Sequence, residues 1–553
     1  MVGVPTSQGC KTCRRKKKGC DLKRPTCGQC ARLSTTCTYE TRKWTFKAHM
    51  AGPSEPSAGV NAIDAPPADW AAYVPSAYIQ QPFSHAALKA GIVGEFWAAY
   101  LGSGQSQLRT SINLVIAAPL IPTLQHFAGQ DEVAGYALDA CAFMTVGRLR
   151  GDEVLLQQGK TLYGVAVRTT SIVLSVELLA DNWDCEQLRN ANRALQHPLQ
   201  ARTDGTLAAC RLLGMCEIFR GRDHGQAVST QGTGWQQHLD GTVKLLEFRG
   251  PEEHADEHGH ELFLGARVGC AVAGLTNRKA AQLSSAKWRS LPWRSMSRTL
   301  TDEVVDIFVA LTYRLQEQDE VFACLSNTGA HGTASLLENG LAVLYRCVQT
   351  SASLQLWEAK ALKICIETGH YRDALQPAGL RDVVQNHGLG FYHLVMRYWV
   401  ACMMLYSGTW LLFRRLAQLA PPKDPSGTGG LSAPRLPDPQ QFASHLAMNV
   451  NYFFESGSGL LGAQYAAVPM GAALHYYAAT GQLDSPEMKE MKRVFQEYRL
   501  AGFTSEFLTS IATSDKLKSM KGNVRNKQEH VKMAASWFRI DARGEESNIQ
   551  RCL

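Results

Sequence analysis

A mostly α-helical protein is predicted, with a small N-terminal metal-binding module followed by a large all-helical domain. Three observations predict it. Six of the sixteen cysteines crowd into residues 10–37 in a duplicated spacing. From about residue 86 onward, apolar residues recur three and four apart, with little two-residue alternation and almost no hairpin punctuation. At 553 residues the chain exceeds what one compact core holds, so two or more domains are expected. Its hydrophobic content of 45% is that of a folded protein.

The first element is the cysteine module. Cys10, Cys13, Cys20, Cys27, Cys30 and Cys37 follow the pattern C-x2-C-x6-C-x6-C-x2-C-x6-C, so the second half repeats the first. Each C-x2-C pair can chelate an ion from one turn, and the third cysteine closes the site from the end of a short helix. Structural zinc takes four thiolates in a tetrahedron. Six thiolates serve two zinc ions only if two sulfurs are shared. Neither a histidine nor a further ligand pair lies between residues 10 and 37, which argues against a cross-braced ligase-type site. The opening residues MVGVPTSQGCKT lack the apolar core of a secretory signal, which argues against a disulfide framework.

The charge points to a polyanion. Residues 1–50 hold twelve Lys and Arg against two acids, Asp21 and Glu40, a net of +10; the remaining 45 basic and 47 acidic residues net −2. The whole positive excess therefore sits on the module, and DNA is the expected partner. The run Arg14, Arg15, Lys16, Lys17, Lys18 lies between the second and third cysteines. Short helices are expected over residues 14–19 and 31–36.

Residues 9–39 resemble the fungal zinc binuclear cluster, the DNA-binding module at the N-terminus of a family of transcription regulators. The resemblance rests on the six cysteines, on the basic run, and on Pro25 two residues before the fourth cysteine. It implies that Cys10 and Cys27 bridge two zinc ions, that Cys13 and Cys20 complete one site, and that Cys30 and Cys37 complete the other. It also implies that Lys16 and Lys17 read a CGG triplet through the N7 and O6 acceptors of guanine. Arg14, Arg15 and Lys18 then meet phosphates, which position the module without specifying sequence. Gly19 departs from the family, which carries Lys, Arg or another polar residue there.

The zinc cluster with its basic extension is expected to occupy residues 1–50. A Pro/Ala-rich linker follows at 51–85, where six prolines forbid a continuous helix. No apolar heptads of a dimerising coiled coil occur in it. A monomer on DNA, or a dimer formed through the large domain, is the expectation.

Residues 86–553 make the helical domain. Residues 153–180, 206–220 and 340–366 carry clear helical periodicity. The segment TLAACRLLGMCEIFR with WQQHLDGTVKLLEFRGP at 235–251, and AAVPMGAALHYYAATG at 466–481, resemble the middle homology region of fungal regulators. That resemblance implies a regulatory domain that receives a small molecule or a co-regulator. In it Gly241 would give close helix packing, and Arg249, Gly250 and Pro251 would end the helix. The ten cysteines outside the module show no C-x2-C pairing and mostly lie in apolar runs, as buried reduced thiols do.

Three signals read otherwise on first sight. His254, Glu257 and His258 form His-x-x-Glu-His, an inverted zinc-protease pattern, but the run PEEHADEHGHE is packed with charge and reads as a solvated loop or helix start. Residues 398–413 are apolar throughout, yet a membrane span needs about twenty such residues. This run has sixteen, bounded by Arg397, Arg414 and Arg415, and reads as a core helix. Residues 421–438 are a Pro/Gly-rich loop without the strand and helix that a phosphate loop needs. The expected function is a nuclear, sequence-specific, zinc-dependent transcription regulator without catalytic residues. Its rivals are a zinc-module protein scaffold, which would lack DNA affinity, and an enzyme carried by the helical domain, which would turn over a substrate without the module.

Overall fold

The computed structural model describes residues 12–13, 16, 20–21, 26–33, 35 and 37 near the N-terminus. Further on it describes residues 82–102, 120–180, 203–221, 231–280, 283, 285–327, 333–367, 375–420, 431–455 and 457–521. The chain divides into two compact units, Met1–Ala62 and Ile63–Leu553. Of the expected linker at 51–85, residues 51–81 lie outside the described residues, as do its expected lack of a coiled coil and the first part of the Pro/Gly loop, 421–430. The linker's last residues, 82–85, instead form the first turn of a helix that begins at Pro82, where a proline is tolerated.

Helix α1 of the first unit spans Gly28–Arg32. The second unit contains α2 (Pro82–Leu101), α3 (Leu120–Gln130), α4 (Glu132–Arg150), α5 (Glu153–Ala180), α6 (Asp204–Phe219), α7 (Gln231–Arg249), α8 (Glu257–Asn277) and α9 (Ala286–Ser290). It continues with α10 (Leu300–Asn327), α11 (Thr333–Glu367), α12 (Leu380–Leu419), α13 (Pro439–Asn449), α14 (Gly459–Ala479), α15 (Pro486–Glu497) and α16 (Ala501–Lys521). No strand occurs among the described residues.

The boundaries follow local chemistry. Helix α4 starts where the Asp131 carboxylate accepts the Ala134 N–H at 3.0 Å, and stops at Gly151, whose φ of 69° is left-handed. Asp152 then accepts the Leu155 N–H and starts α5. This gives a tight antiparallel hairpin. A Cβ on Gly159 would stand 2.6 Å from the Met144 backbone N, so the glycine lets the two helices approach. Helix α6 begins at the Thr203 cap and α15 at the Ser485 cap, the hydroxyl oxygen of each accepting the N–H three residues on.

Helices α2 to α7 pack as one group, and α10 to α13 as another. Helix α8 bridges α7 and α10, and α14 and α16 pack back onto α2 and α7. Both groups share one hydrophobic core. Its spine is α12, kinked at Gly388. The apolar run 398–413 lies on this spine, with Trp399, Cys402, Tyr406 and Leu412 fully buried against α11, α13 and α14. Among the described residues no helix is long and apolar enough to cross a membrane.

Two expectations are corrected here. Gly241 is no close-approach point, since a Cβ there would meet nothing within 4 Å. The close contacts of α7 are at Gly232, against the Ile511 backbone, and at Gly234, against the Glu217 carboxylate. The stretch 251–261 is indeed a helix start, capped by Asp256 on the Gly259 N–H, but it is only partly solvated. His254 is fully buried and stacks on Phe263, while His258 is exposed and stacks on His126. The two histidines face different surroundings, so the described residues supply no metalloprotease ligand pair.

Candidate metal centre and nucleic-acid interface

Five of the six predicted ligands lie among the described residues; Cys10 lies outside them. The Sγ atoms of Cys13, Cys20 and Cys27 all fall within 4.8 Å of one another, and so do those of Cys27, Cys30 and Cys37. Cys27 is the member common to both groups. Cys13, Cys27 and Cys30 are buried, and Cys20 and Cys37 are partly buried against them. No other group of three potential metal ligands occurs among the described residues.

The backbone explains why Cys27 can serve both triads. It is the N-cap of α1, in extended conformation, and its Sγ accepts the Cys30 N–H at 3.4 Å. Its own N–H donates to the Cys37 Sγ at 3.3 Å. The Cys13 and Cys27 sulfurs stand 3.6 Å apart. The hydrogen bond from the Cys30 N–H holds the Cys27 thiol below its ordinary pKa, and the contacts with Cys30, Cys13 and Cys37 side chains act in the same direction. A thiol tuned toward thiolate at a helix start is a metal ligand in waiting. The donor set fits zinc: soft sulfurs only, grouped in threes about a shared member, each group one donor short of the four that a structural zinc takes.

The helices of the module are shifted from expectation. The second one runs Gly28–Arg32 instead of 31–36, because the Cys27 thiol caps it three residues earlier. At the first one, Thr12 and Cys13 are helical and the Lys16 N–H bonds the Thr12 carbonyl at 3.1 Å, so the turn begins within the C-x2-C pair. Lys16 is exposed. Arg14, Arg15, Lys17 and Lys18 lie outside the described residues.

Sequence reasoning passed over Asp21. Both of its carboxylate oxygens accept the Gly28 N–H, each at 3.1 Å, tying the third-cysteine segment to the start of α1. A Cβ on Gly28 would lie 2.9 Å from Asp21 Oδ2, so the carboxylate would have to shift from its hydrogen-bonding position. The available signal was its position: one of only two acids in a strongly basic stretch, directly after Cys20.

Elsewhere the thiols are tuned the other way. Burial pushes Cys210 and Cys270 up to about 12. Cys141, Cys216, Cys347 and Cys402 are likewise buried and free, whereas Cys324 is exposed, an exception to the expected pattern.

A small all-cysteine centre built around a shared sulfur defines a thiolate metal-cluster module. Residues 8–44 match the fungal Zn(2)-Cys(6) binuclear cluster domain. No curated protein and no solved structure matches the chain. The module binds two zinc ions and supports a fungal DNA-binding transcription regulator; proteins that carry this domain are generally nuclear and typically not enzymes.

Proposed function

We propose that this protein is a sequence-specific regulator that reads CGG-type triplets. In this reading Cys10 and Cys27 bridge two zinc ions, Cys13 and Cys20 complete the first tetrahedron, and Cys30 and Cys37 the second. Lys16 and Lys17 contact guanine in the major groove, and Arg14, Arg15 and Lys18 hold phosphates. Residues 1–50 form the DNA-binding domain, 51–85 the linker, and 86–553 the regulatory domain, which acts on a metabolic or secondary-metabolite gene cluster.

The observation that carries the reading is Cys27, whose sulfur belongs to both thiol triads. Lys16 supports it, exposed one helical turn from the first C-x2-C pair. Zinc-loaded full-length protein should enrich CGG from random duplexes, and a chelated sample should not. Lys16→Ala should relax preference at one guanine by about 1–3 kcal/mol. Weak binding that shows no triplet and vanishes as salt rises would replace the reading with non-specific or protein binding.

A further inference from the structure

A helix on a protein surface ordinarily carries charged and polar residues on its outer side. Helix α15 does so, with Lys489, Arg493 and Glu497 exposed. Helix α11 does not. From Asn339 to Ala359 none of its exposed positions carries a charge, over a length of about 30 Å. The cation in that stretch, Arg346, is only half-buried but is turned aside into an ion pair with Glu317 of α10.

Apolar side chains take the place of the charges. Ten large apolar side chains are exposed among the described residues, and four of them, Tyr345, Val348, Leu356 and Ile366, belong to this one helix. Tyr345 at 65% and Leu356 at 61% are the most exposed of the ten. Together with the exposed Ala352 and Ala359 they recur three and four residues apart, which sets them on one stripe of the helix. Exposed charge stands at the two ends of the stripe, with Glu338 at one and Lys363 at the other.

The order of residues along the stripe selects the occupant. When α11 runs antiparallel to a second α11 and crosses it at Ala352, large residues meet small ones. Tyr345 of one copy faces Ala359 of the other, and Leu356 faces Val348. The same arrangement brings Glu338 of each copy within a helical turn of Lys363 of the other, so opposite charges meet at both ends. A parallel pairing would set Tyr345 on Tyr345, Glu338 on Glu338 and Lys363 on Lys363. From Glu338 to Ile366 the stripe is about 42 Å long and about 10 Å wide, so two copies would bury roughly 850 Å2. The Arg346–Glu317 pair brings α10 alongside, and Tyr313, exposed one turn before Glu317, adds to that area. The total lies near the lower edge of specific interfaces, about 1,000 Å2, which suits a reversible dimer.

We propose that the exposed stripe of α11 is a self-association surface, on which two copies of this chain pair antiparallel with Ala352 at the two-fold axis. The pairing is a property of the helical unit and goes beyond the reading of DNA. It gives each assembly two zinc modules.

The test uses zinc-loaded full-length protein at low salt without DNA, so its outcome is separate from that of triplet selection. Sedimentation equilibrium should show a monomer–dimer equilibrium with a micromolar dissociation constant. Tyr345→Lys, at an exposed position, should weaken the dimer about tenfold and leave the melting curve unaltered. Glu338→Lys and Lys363→Glu should each weaken it about fivefold, since each homodimer then sets like charges together at both ends. An equimolar mixture of those two variants should recover dimerisation, because the mixed pair restores opposite charges at both ends. A protein that stays monomeric at about a hundred micromolar overturns the proposal. A dimer indifferent to Tyr345→Lys overturns it as well, by placing the contact on another surface. Two weakened charge variants that do not recover on mixing overturn the antiparallel pairing.

Discussion

The two units of this chain are held together by opposite means. In the N-terminal unit the buried described residues are Cys13, Cys27 and Cys30, packed only against Cys20 and Cys37. In the helical unit a single apolar core runs from Ile92 to Leu508 and encloses side chains as large as Trp357, Trp399 and Tyr392. The same residue type shows the contrast most sharply. Cys27 is pulled toward thiolate by the N–H at the start of α1, while Cys210 and Cys270 are pushed up to about 12 by burial. Cysteine in the first unit is a charged ligand, and in the second a small hydrophobe. A module so short buries too little apolar surface to offset the entropy of ordering its chain, so its folding free energy has to come from the metal.

The largest effect that would break this contrast is metal removal. Structural zinc contributes about 10–16 kcal/mol to the folding of comparable small domains near neutral pH. Chelation, or Cys27→Ser, should therefore abolish DNA binding and the ordered amide signals of the module. The melting transition of the helical unit should stay in place. A downward shift of that transition upon chelation would show that the two units share stability. A Cys27→Ser protein that still takes up two zincs would refute the bridging role.

The reciprocal change belongs to the helical unit. Trp357 on α11 is 1% exposed, stacks on Tyr398 at 5.0 Å, and donates its indole N–H to the Leu300 carbonyl at 2.8 Å. Trp357→Ala opens a cavity and removes that hydrogen bond, at a cost of about 3–5 kcal/mol. The helical melting point should fall, while the zinc content of the module should not change.

These two changes also show what the sequence could and could not disclose. Helix α5 was legible from its apolar period over 153–180, and the Asp152 cap and left-handed Gly151 that fix its start come from the structure. The metal ligands were legible because chelation fixes their spacing. The start of α1 was not, because a cysteine acting as both ligand and helix cap resembles no ordinary cap signal. Gly241 misled for a different reason: a glycine on a helix marks room for a neighbour, but only the fold says which face has one. His254 was hidden by its acidic neighbours, since the rings that cover it, Phe263 and Trp288, come from later segments.

Acid should separate the units again, this time through histidine. Burial lowers His238 to about 4, and the nearby Arg220 cation acts in the same direction. His238 Nε2 donates to the Tyr163 hydroxyl oxygen at 2.7 Å, and that hydroxyl in turn donates to Glu217. Burial, then Arg249, lowers His254 to about 4 as well. The folded pKa values lie below the unfolded value of about 6.5, so between about pH 6.5 and 4 the unfolded chain binds more protons. Stability is thus full above pH 6.5 and is lost as pH falls through that window, by roughly 3 kcal/mol for each histidine. His260, His393 and His445 are lowered by burial as well, so His238→Gln should reduce the pH dependence of the helical melting point without abolishing it; an unchanged slope would mean the ring is not held neutral.

The smallest predicted effect probes how the protein helps the metal. Asp21 accepts the Gly28 N–H and so fixes the start of the helix that Cys27 caps. Asp21→Ala should weaken zinc binding by about fivefold, the equivalent of one lost helix-capping bond. Gly28→Ala should do similar damage, because the new Cβ would press on Asp21 Oδ2. If both act through this one contact, the pair is not additive: in an Asp21→Ala background, Gly28→Ala should be close to neutral. Competition with a chelator of known affinity measures all three variants. Strict additivity would place the role of Gly28 elsewhere, in the backbone freedom of the turn, and leave the thiols to position the helix unaided.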